Sequence, residues 1–444
     1  MFSRRRFIRI GAASVGSLAL RNFGLLPAMA QGVSDYKALV CVFLFGGNDS
    51  NNTIIPIDLS QATYSEYQKL RASLALPTTD LTSARADISG KHYYFHNGLL
   101  ELADLFTQGH LAVAANVGPL VQYVNRTQIS NPSAVPAHLF SHLDQQTEWQ
   151  TSDPTEQQTP FGWGGRTAQY ALSMNTGSFP AFLSVAGNDL FGAGPDPQIA
   201  LNPGGSLNLA GFDYTLKQPR SAAFDALLTT ETGLSLAGAA NGVMLNSIAD
   251  AQMLTKALAG VTVTTPFPTT RLGAQLQQVA QIIKARDGLQ MQRQIFFCSM
   301  GGFDTHTNEI ETHKTLYPQL SQAINAFYTA LSSELLLENN VTLFTESDFS
   351  RTFQPTTGDG SDHAWGSHHM VLGGAVKGQK IYGTFPTFAL GSNDDFDTRG
   401  RWIPSGAVDQ YGASLVNWFG VDATKVFPNL GSFSSKKNPF TFFS

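Results

Sequence analysis

The sequence predicts an α/β fold in which a buried sheet hands polar groups to one edge. Three observations lead there. Continuous apolar runs of strand length, Ala38 to Phe45 and Val341 to Thr345, have the pattern of parallel strands covered on both faces. Such runs end in glycine and acid, as in Gly46-Gly47-Asn48-Asp49 and Gly301-Gly302-Phe303-Asp304-Thr305-His306. Three of the ten histidines, His363, His368 and His369, fall within seven residues beside Asp362, ahead of the apolar run Met370 to Gly374. Open α/β sheets bind their ligands where strands end, so function is to be sought at that edge.

The chain is 444 residues long, with 14% charged and 11% aromatic side chains, enough to bury a large core as one big domain or two. Residues 1–30 differ from the rest. Ser3-Arg4-Arg5-Arg6-Phe7-Ile8-Arg9 precedes an apolar stretch, Ile10 to Leu26, and Ala28-Met29-Ala30 supplies small residues before Gln31. This is the pattern of a twin-arginine export signal, read by the twin-arginine translocase. Residues 31–444 are then expected to form a single α/β domain, soluble in the periplasm or outside the cell. Without residues 1–30, which hold five of the 28 basic residues and no acid, 23 basic residues face 33 acidic ones, a formal charge of −10. That balance argues against a nucleic-acid partner. No later stretch is long and apolar enough for a transmembrane helix. Twin-arginine export carries folded proteins, often with a cofactor already inserted, which favours a metal or cofactor site.

The elements follow in order. Ala38 to Phe45 is the first strand, and Asp49 after it is either a metal ligand or the carboxylate of an Asx turn. Tyr64 to Leu74 and Leu99 to Thr107 are surface helices, and Leu111 to Val117 is the next strand. Pro136 to Trp149 brings His138, Ser141 and His142 together; as a helix it puts the two histidines on one face. Ser141 at a helix start suits a nucleophile whose product is an anion, or is simply an N-cap. Phe161 to Arg166 is a glycine and aromatic turn, and Ala181 to Gly187 another strand. Residues 192–269 shift to Ala, Leu, Ser, Asn and Thr with proline-rich edges, and are expected to form an inserted cap or helical subdomain containing helices at Ser221 to Leu228 and Leu245 to Leu258. Arg271 to Ala285 is a helix feeding the strand Gln294 to Ser299. If the chain stays extended beyond it, Asp304 and His306 point the same way, about 6 to 7 Å apart at Cα. A helix at Leu316 to Glu338 leads to Val341 to Thr345 and then to Glu346, Asp348, Arg351, Asp362, His363, His368 and His369.

Acids and imidazoles without cysteine form a hard or borderline donor set, right for one or two divalent ions such as zinc, manganese, magnesium or calcium. The metal candidates are Asp49, Asp304, His306, Asp348, Asp362, His363, His368 and His369. The catalytic candidates are Ser141, His142 and Arg351, whose planar fork suits an anion's non-bridging oxygens but equally an ion pair to Asp348. Cys41 and Cys298 lie within apolar runs and read as a pair of buried thiols rather than a disulfide.

Taken together, GGNDSNNT (46–53), LFSHLDQQ (139–146), GWGGR (162–166), GGFDTHTNE (301–309), SDFSRT (347–352) and DHAWGSHHMVLGGAVKG (362–378) resemble the exported family of domain of unknown function 1501. That family is similar to the alkaline phosphatase superfamily, which implies a large mixed, mostly parallel sheet sandwiched by helices, with metals at the strand ends. The resemblance implies Asp49 as the first acid, Ser141 as the nucleophile and Asp304 with His306 as the third element, where the superfamily spaces the pair by four and this chain has Asn308. The Asp-His element is Asp362-His363 or Asp348, with Phe349 where a histidine is expected, and His368 and His369 compete for the last position. Neither cysteine stands in the Cys-x-Pro-x-Arg context from which sulfatases make formylglycine. The implied activity is a metal-dependent hydrolase or transferase acting on a phosphate or sulfate ester, through Ser141 or a metal-bound hydroxide. The alternative is a non-catalytic exported envelope or surface protein that keeps the fold and a structural or vestigial metal.

Overall fold

The computed structural model describes residues 35–156, 159–195, 198–203, 219–229 and 235–444; the expected export signal, residues 1–30, lies outside them. Among the described residues the main sheet has nine strands: β1 Lys37–Leu44, β2 Leu111–Gly118, β3 Phe182–Ser184, β4 Ile199–Ala200, β5 Arg293–Met300, β6 Val341–Ser347, β7 Ser367–Leu372, β8 Lys380–Gly383 and β9 Gly406–Ala407. Their order is β8-β2-β7-β6-β1-β5-β3-β4, with β9 also on β2. Every pairing is parallel except the two made by β7, with β6 and with β2. The sheet is therefore mixed and mostly parallel, as expected. Because β7 runs opposite to the rest, the chain enters it at the edge where β1, β5 and β6 end.

Strands β2, β6 and β7 are buried along their whole length and β1 at all but its first residue, which requires cover on both faces. Helices α1 Tyr64–Arg71, α2 Leu100–Thr107, α3 His142–Thr151, α4 Trp163–Ala171, α5 Pro219–Thr229, α6 Ser235–Leu258, α7 Arg271–Lys284, α8 Glu309–Thr329 and α9 Val408–Phe419 follow in the chain. Helix α8 packs against α2 and α7, whereas α4 and α9 pack against strands of the sheet and α3 against β6 and α4. A capping box between Thr63 and Glu66 starts α1, and the Thr270 hydroxyl accepts from Gly273 N–H to start α7. Helix α8 starts at Glu309, seven residues before the expected Leu316, and carries Pro318 inside it. It continues past Thr329 as a π-turn over Ala330–Leu335.

Cys41 pairs with Phe297 and Cys298 with Val42 on the neighbouring strand. One step of register puts the two thiols on opposite faces of the sheet, so they are free and buried rather than bonded. Of the expected cap, α5 and α6 are described. Helix α6 faces a cleft of about 350 Å³ at the β4 end of the sheet, lined by Ala168, Phe182, Ile199, Asp250 and Met253 among others. No helix among the described residues is long and apolar enough to cross a membrane.

Candidate metal centre

Two glycine turns build the floor of the site. After β1, Gly46 and Gly47 adopt φ of +113° and +78°, and a Cβ on either would collide, with Asp304 N at 2.4 Å or with the Phe349 ring at 2.3 Å. What approaches these glycines is the loop after β5 and an aromatic side chain. The turn also supplies polar groups: Gly46 N–H donates to Asp348 Oδ1 (3.2 Å), and Arg351 Nη1 donates to Gly46 O (3.3 Å). After β5 the chain is not extended. Thr305 N–H bonds to Phe303 O and His306 N–H to Asp304 O, two successive three-residue turns that fold His306 back over Asp304.

Three imidazoles converge on Asp304 Oδ1. His306 Nε2 is 3.0 Å away, His142 Nε2 3.4 Å and His363 Nε2 3.5 Å. His306 Nε2 and His363 Nε2 are 2.9 Å apart, so two lone pairs face each other unless a proton or a cation lies between. In a tetrahedral zinc site with bonds of about 2.0–2.1 Å, neighbouring ligand atoms are about 3.3 Å apart. The observed spacings cluster around that edge.

The far sides of two rings are held. His363 Nδ1 donates to Phe140 O (2.7 Å), which leaves its Nε2 lone pair aimed inward. His142 Nδ1 meets Asp348 Oδ2 at 2.6 Å, and its buried Nε2 has no hydrogen-bond partner. The same Asp348 oxygen accepts from Gln146 Nε2 (2.8 Å). The Phe349 ring lies 4.8 Å from both His142 and His363 and wedges them in place. Phe140 holds its carbonyl at this spot with φ of +73°, a costly conformation for a residue with a Cβ. These features are the fit expected of a cation site: ring nitrogens aimed inward, two of them turned by a partner behind the ring.

The electrostatics agree. The hydrogen bond to Asp348 raises His142 above its ordinary value. Burial lowers His363, against the pull of the Phe140 carbonyl. Burial resists ionisation of Asp304, but the Arg351 hydrogen bond (3.0 Å) and charge outweigh it and hold the carboxyl below the usual range.

The other predicted residues lie elsewhere or do different work. Asp49 accepts from Asn51 N–H as an Asx turn and sits fully buried against Arg71, which also binds Glu309 (3.0 Å). That guanidinium stands where a cation would be needed. Asp348 is behind His142 rather than among the converging atoms. Asp362 has an oxygen within 4.8 Å of His306 and His363, but its Oδ2 is bound by Arg399 (2.9 Å) and Arg401 (3.0 Å). His368 and His369 lie inside β7. His368 Nδ1 accepts from Asn116 N–H, His369 packs between Trp149 and Tyr411, and burial pushes both down to about 3. Their strand position points them into packed layers instead of toward the edge. Arg351 is fully buried with its donors on Asp304, Gly46 and Ser361, so it anchors Asp304 and is not free to clamp an anion. It pairs with Asp304, not with Asp348. His138 precedes α3 with φ of +54°, so it does not share a helix face with His142. Ser141 takes the N-cap position, and its hydroxyl makes no hydrogen bond among the described residues.

Sequence reasoning missed Phe140, Gln146 and the wedging role of Phe349. Only Gln146 had a signal, its four-residue spacing from His142. It had placed His142 among catalytic residues, whereas its ring stands with His306 and His363.

No curated protein matches the chain. Among solved structures, Ps i-CgsB in complex with k-i-k-neocarrahexaose is similar at 10% identity and a TM-score of 0.36, and Ps i-CgsB at 10% and 0.34. Each comparison covers 90% of this chain and 77% of the other. Residues 36–396 match the profile described as "Protein of unknown function (DUF1501)", and the chain belongs to that family.

Proposed function

We propose that this chain is an exported, divalent-metal-dependent hydrolase or transferase that acts on a phosphate or sulfate ester. The observation that carries the reading is the convergence of three imidazole nitrogens on Asp304, with His142 and His363 turned inward by Asp348 and Phe140. His142, His306, His363 and Asp304 would hold the cation. The Asp304 and His306 side chains are 49% and 44% exposed, so the cluster can be reached from solvent. A bound divalent ion there supplies Lewis acidity toward an ester oxygen. Asp304 and the imidazoles orient it, and the buried Arg351 keeps Asp304 ionised. Ser141, next to His142 at the start of α3, is the side-chain nucleophile this reading assigns. The arginine-rich leader supports export through the twin-arginine translocase to the periplasm or beyond.

The test is metal analysis of the purified protein together with turnover of generic phosphomonoester, phosphodiester and sulfate ester substrates. A stoichiometric divalent ion and turnover of at least one class are expected. A protein that takes up no ion and is inert toward all three rejects the reading.

A second reading, a non-catalytic envelope or surface protein with a structural ion, draws on two observations. Arg71 fills the place beside Asp49 that a second ion would use, and the Ser141 hydroxyl engages none of the cluster. Asp304→Ala and His363→Ala separate the two: a structural ion predicts lost stability with no turnover to lose, a catalytic one lost turnover in a folded chain.

A further inference from the structure

With Arg351 buried and fully engaged, the open side of the cluster needs another group to recognise an anion. Two arginines stand on that rim. Arg401 is committed: Nε donates to His363 O (2.7 Å), Nη1 to Asp397 and Nη2 to Asp362, and its guanidinium lies 4.4 Å over the Phe140 ring. Arg399 is not. One amino group holds Asp362 Oδ2 at 2.9 Å, its side chain is 35% exposed, and its other donors make no hydrogen bond among the described residues. Asp362, which it touches, has a carboxylate oxygen within 4.8 Å of the His306 and His363 ring nitrogens. A guanidinium with a free edge, held on the carboxylate next to the two rings, can take two oxygens of a tetrahedral oxyanion side by side.

We infer that Arg399 is the substrate-binding residue of the site, gripping the non-bridging oxygens of a phosphate or sulfate group placed over Asp304, His306 and His363. The inference rests on the proposed function and moves the anion clamp from Arg351 to Arg399. Arg399 reaches the rim from a loop whose backbone is fixed independently, by Arg399 N–H to Asp397 Oδ1 and by Gln354 N–H to Arg399 O. Asp362 retains Arg401 when Arg399 is replaced, so the substitution removes the free edge and leaves the loop in place.

The experiment is calorimetric titration of the full chain, with and without added zinc, using inorganic phosphate in one arm and sulfate in the other. Wild type, Arg399→Gln and Arg399→Lys are compared, with metal content measured on each. Arg399→Gln is expected to weaken the preferred anion about ten-fold or more, with metal content unchanged, and Arg399→Lys to recover only part of the loss. The arm with the larger loss identifies the oxyanion, and KM for the corresponding aryl ester rises by the same factor. Equal affinity in wild type and Arg399→Gln overturns the assignment, as does a wild type that binds neither anion. A chain that holds no divalent ion but binds the anion through Arg399 rejects the metal-dependent reading and leaves this one standing.

Discussion

Two acid-and-histidine groups in this molecule share a composition and differ in kind. Asp49, Glu309 and His313 bring their donor atoms within 4.8 Å of one another, as do His142, Asp304 and His363. The first group is sealed: all three residues are buried, and the Arg71 guanidinium lies against both carboxylates. The second is open at Asp304: Arg351 binds the Asp304 oxygen on which the imidazoles converge, but His142 Nε2 has no hydrogen-bond partner and the His306 and His363 Nε2 atoms face each other. Donor type is therefore a poor guide by itself. A sealed group whose two carboxylates share one buried guanidinium is a structural clamp, whereas one with inward lone pairs and an open side keeps a place for an ion even with Arg351 on its carboxylate.

The largest effect expected from breaking this contrast is in the sealed group. Arg71→Met leaves two buried carboxylates uncompensated and should cost about 3–5 kcal/mol, read by urea denaturation. Ion uptake at the open cluster should be unchanged. A variant that keeps its stability and gains a second ion would erase the distinction. In the open group, Asp304→Asn or His363→Ala should lower zinc affinity by more than the roughly 100-fold that loss of an orienting partner costs, with little change in stability. Competition with a chromophoric chelator measures it, and an unchanged affinity removes these residues from the ligand set. Asp348→Asn keeps an acceptor behind His142 but loses its charge, so a smaller loss of about ten-fold is expected. No loss would show that Asp348 does not act through His142.

The smallest and sharpest difference is in titration of the metal-free protein. Burial pushes His313 down to about 4, whereas the Asp348 hydrogen bond raises His142. The two contribute to stability with opposite signs. His313 stabilises the fold above its unfolded value near 6.5, and that contribution is lost as pH falls toward about 4. His142 stabilises it below that value, and its contribution is lost as pH rises through the folded pKa. Imidazole NMR titrations should show His142 protonating first as acid is added. The reverse order would mean that burial, not the carboxylate partner, governs the open cluster.

Much of the scaffold was legible in the residues. The run Ala38 to Phe45 announced a covered strand because nothing polar interrupts it, and the glycines after it announced a turn no side chain tolerates. Asp304, His306 and His363 were legible as donors because each follows or precedes an apolar run beside glycine or acid. What was not legible was their sorting. His368 and His369 look like edge residues in a one-dimensional reading, yet they lie inside β7, where burial holds both neutral. Asp49 looks like a ligand until Arg71, 22 positions away, is found against it.

The amino-acid order alone determined the α/β class, the strand and helix runs, the unpaired thiols within apolar strands and the supply of oxygen and imidazole donors. These follow from local periodicity and polarity, which act within a few residues. The tertiary structure decided which donors meet. The reversed direction of β7 brings His363 to the edge where β5 delivers Asp304, the paired turns after β5 fold His306 over it, and α3 swings His142 in against Asp348, 206 positions along the chain. Contacts across such separations depend on strand direction and on which oppositely charged group the fold sets alongside, and neither is written in any single stretch.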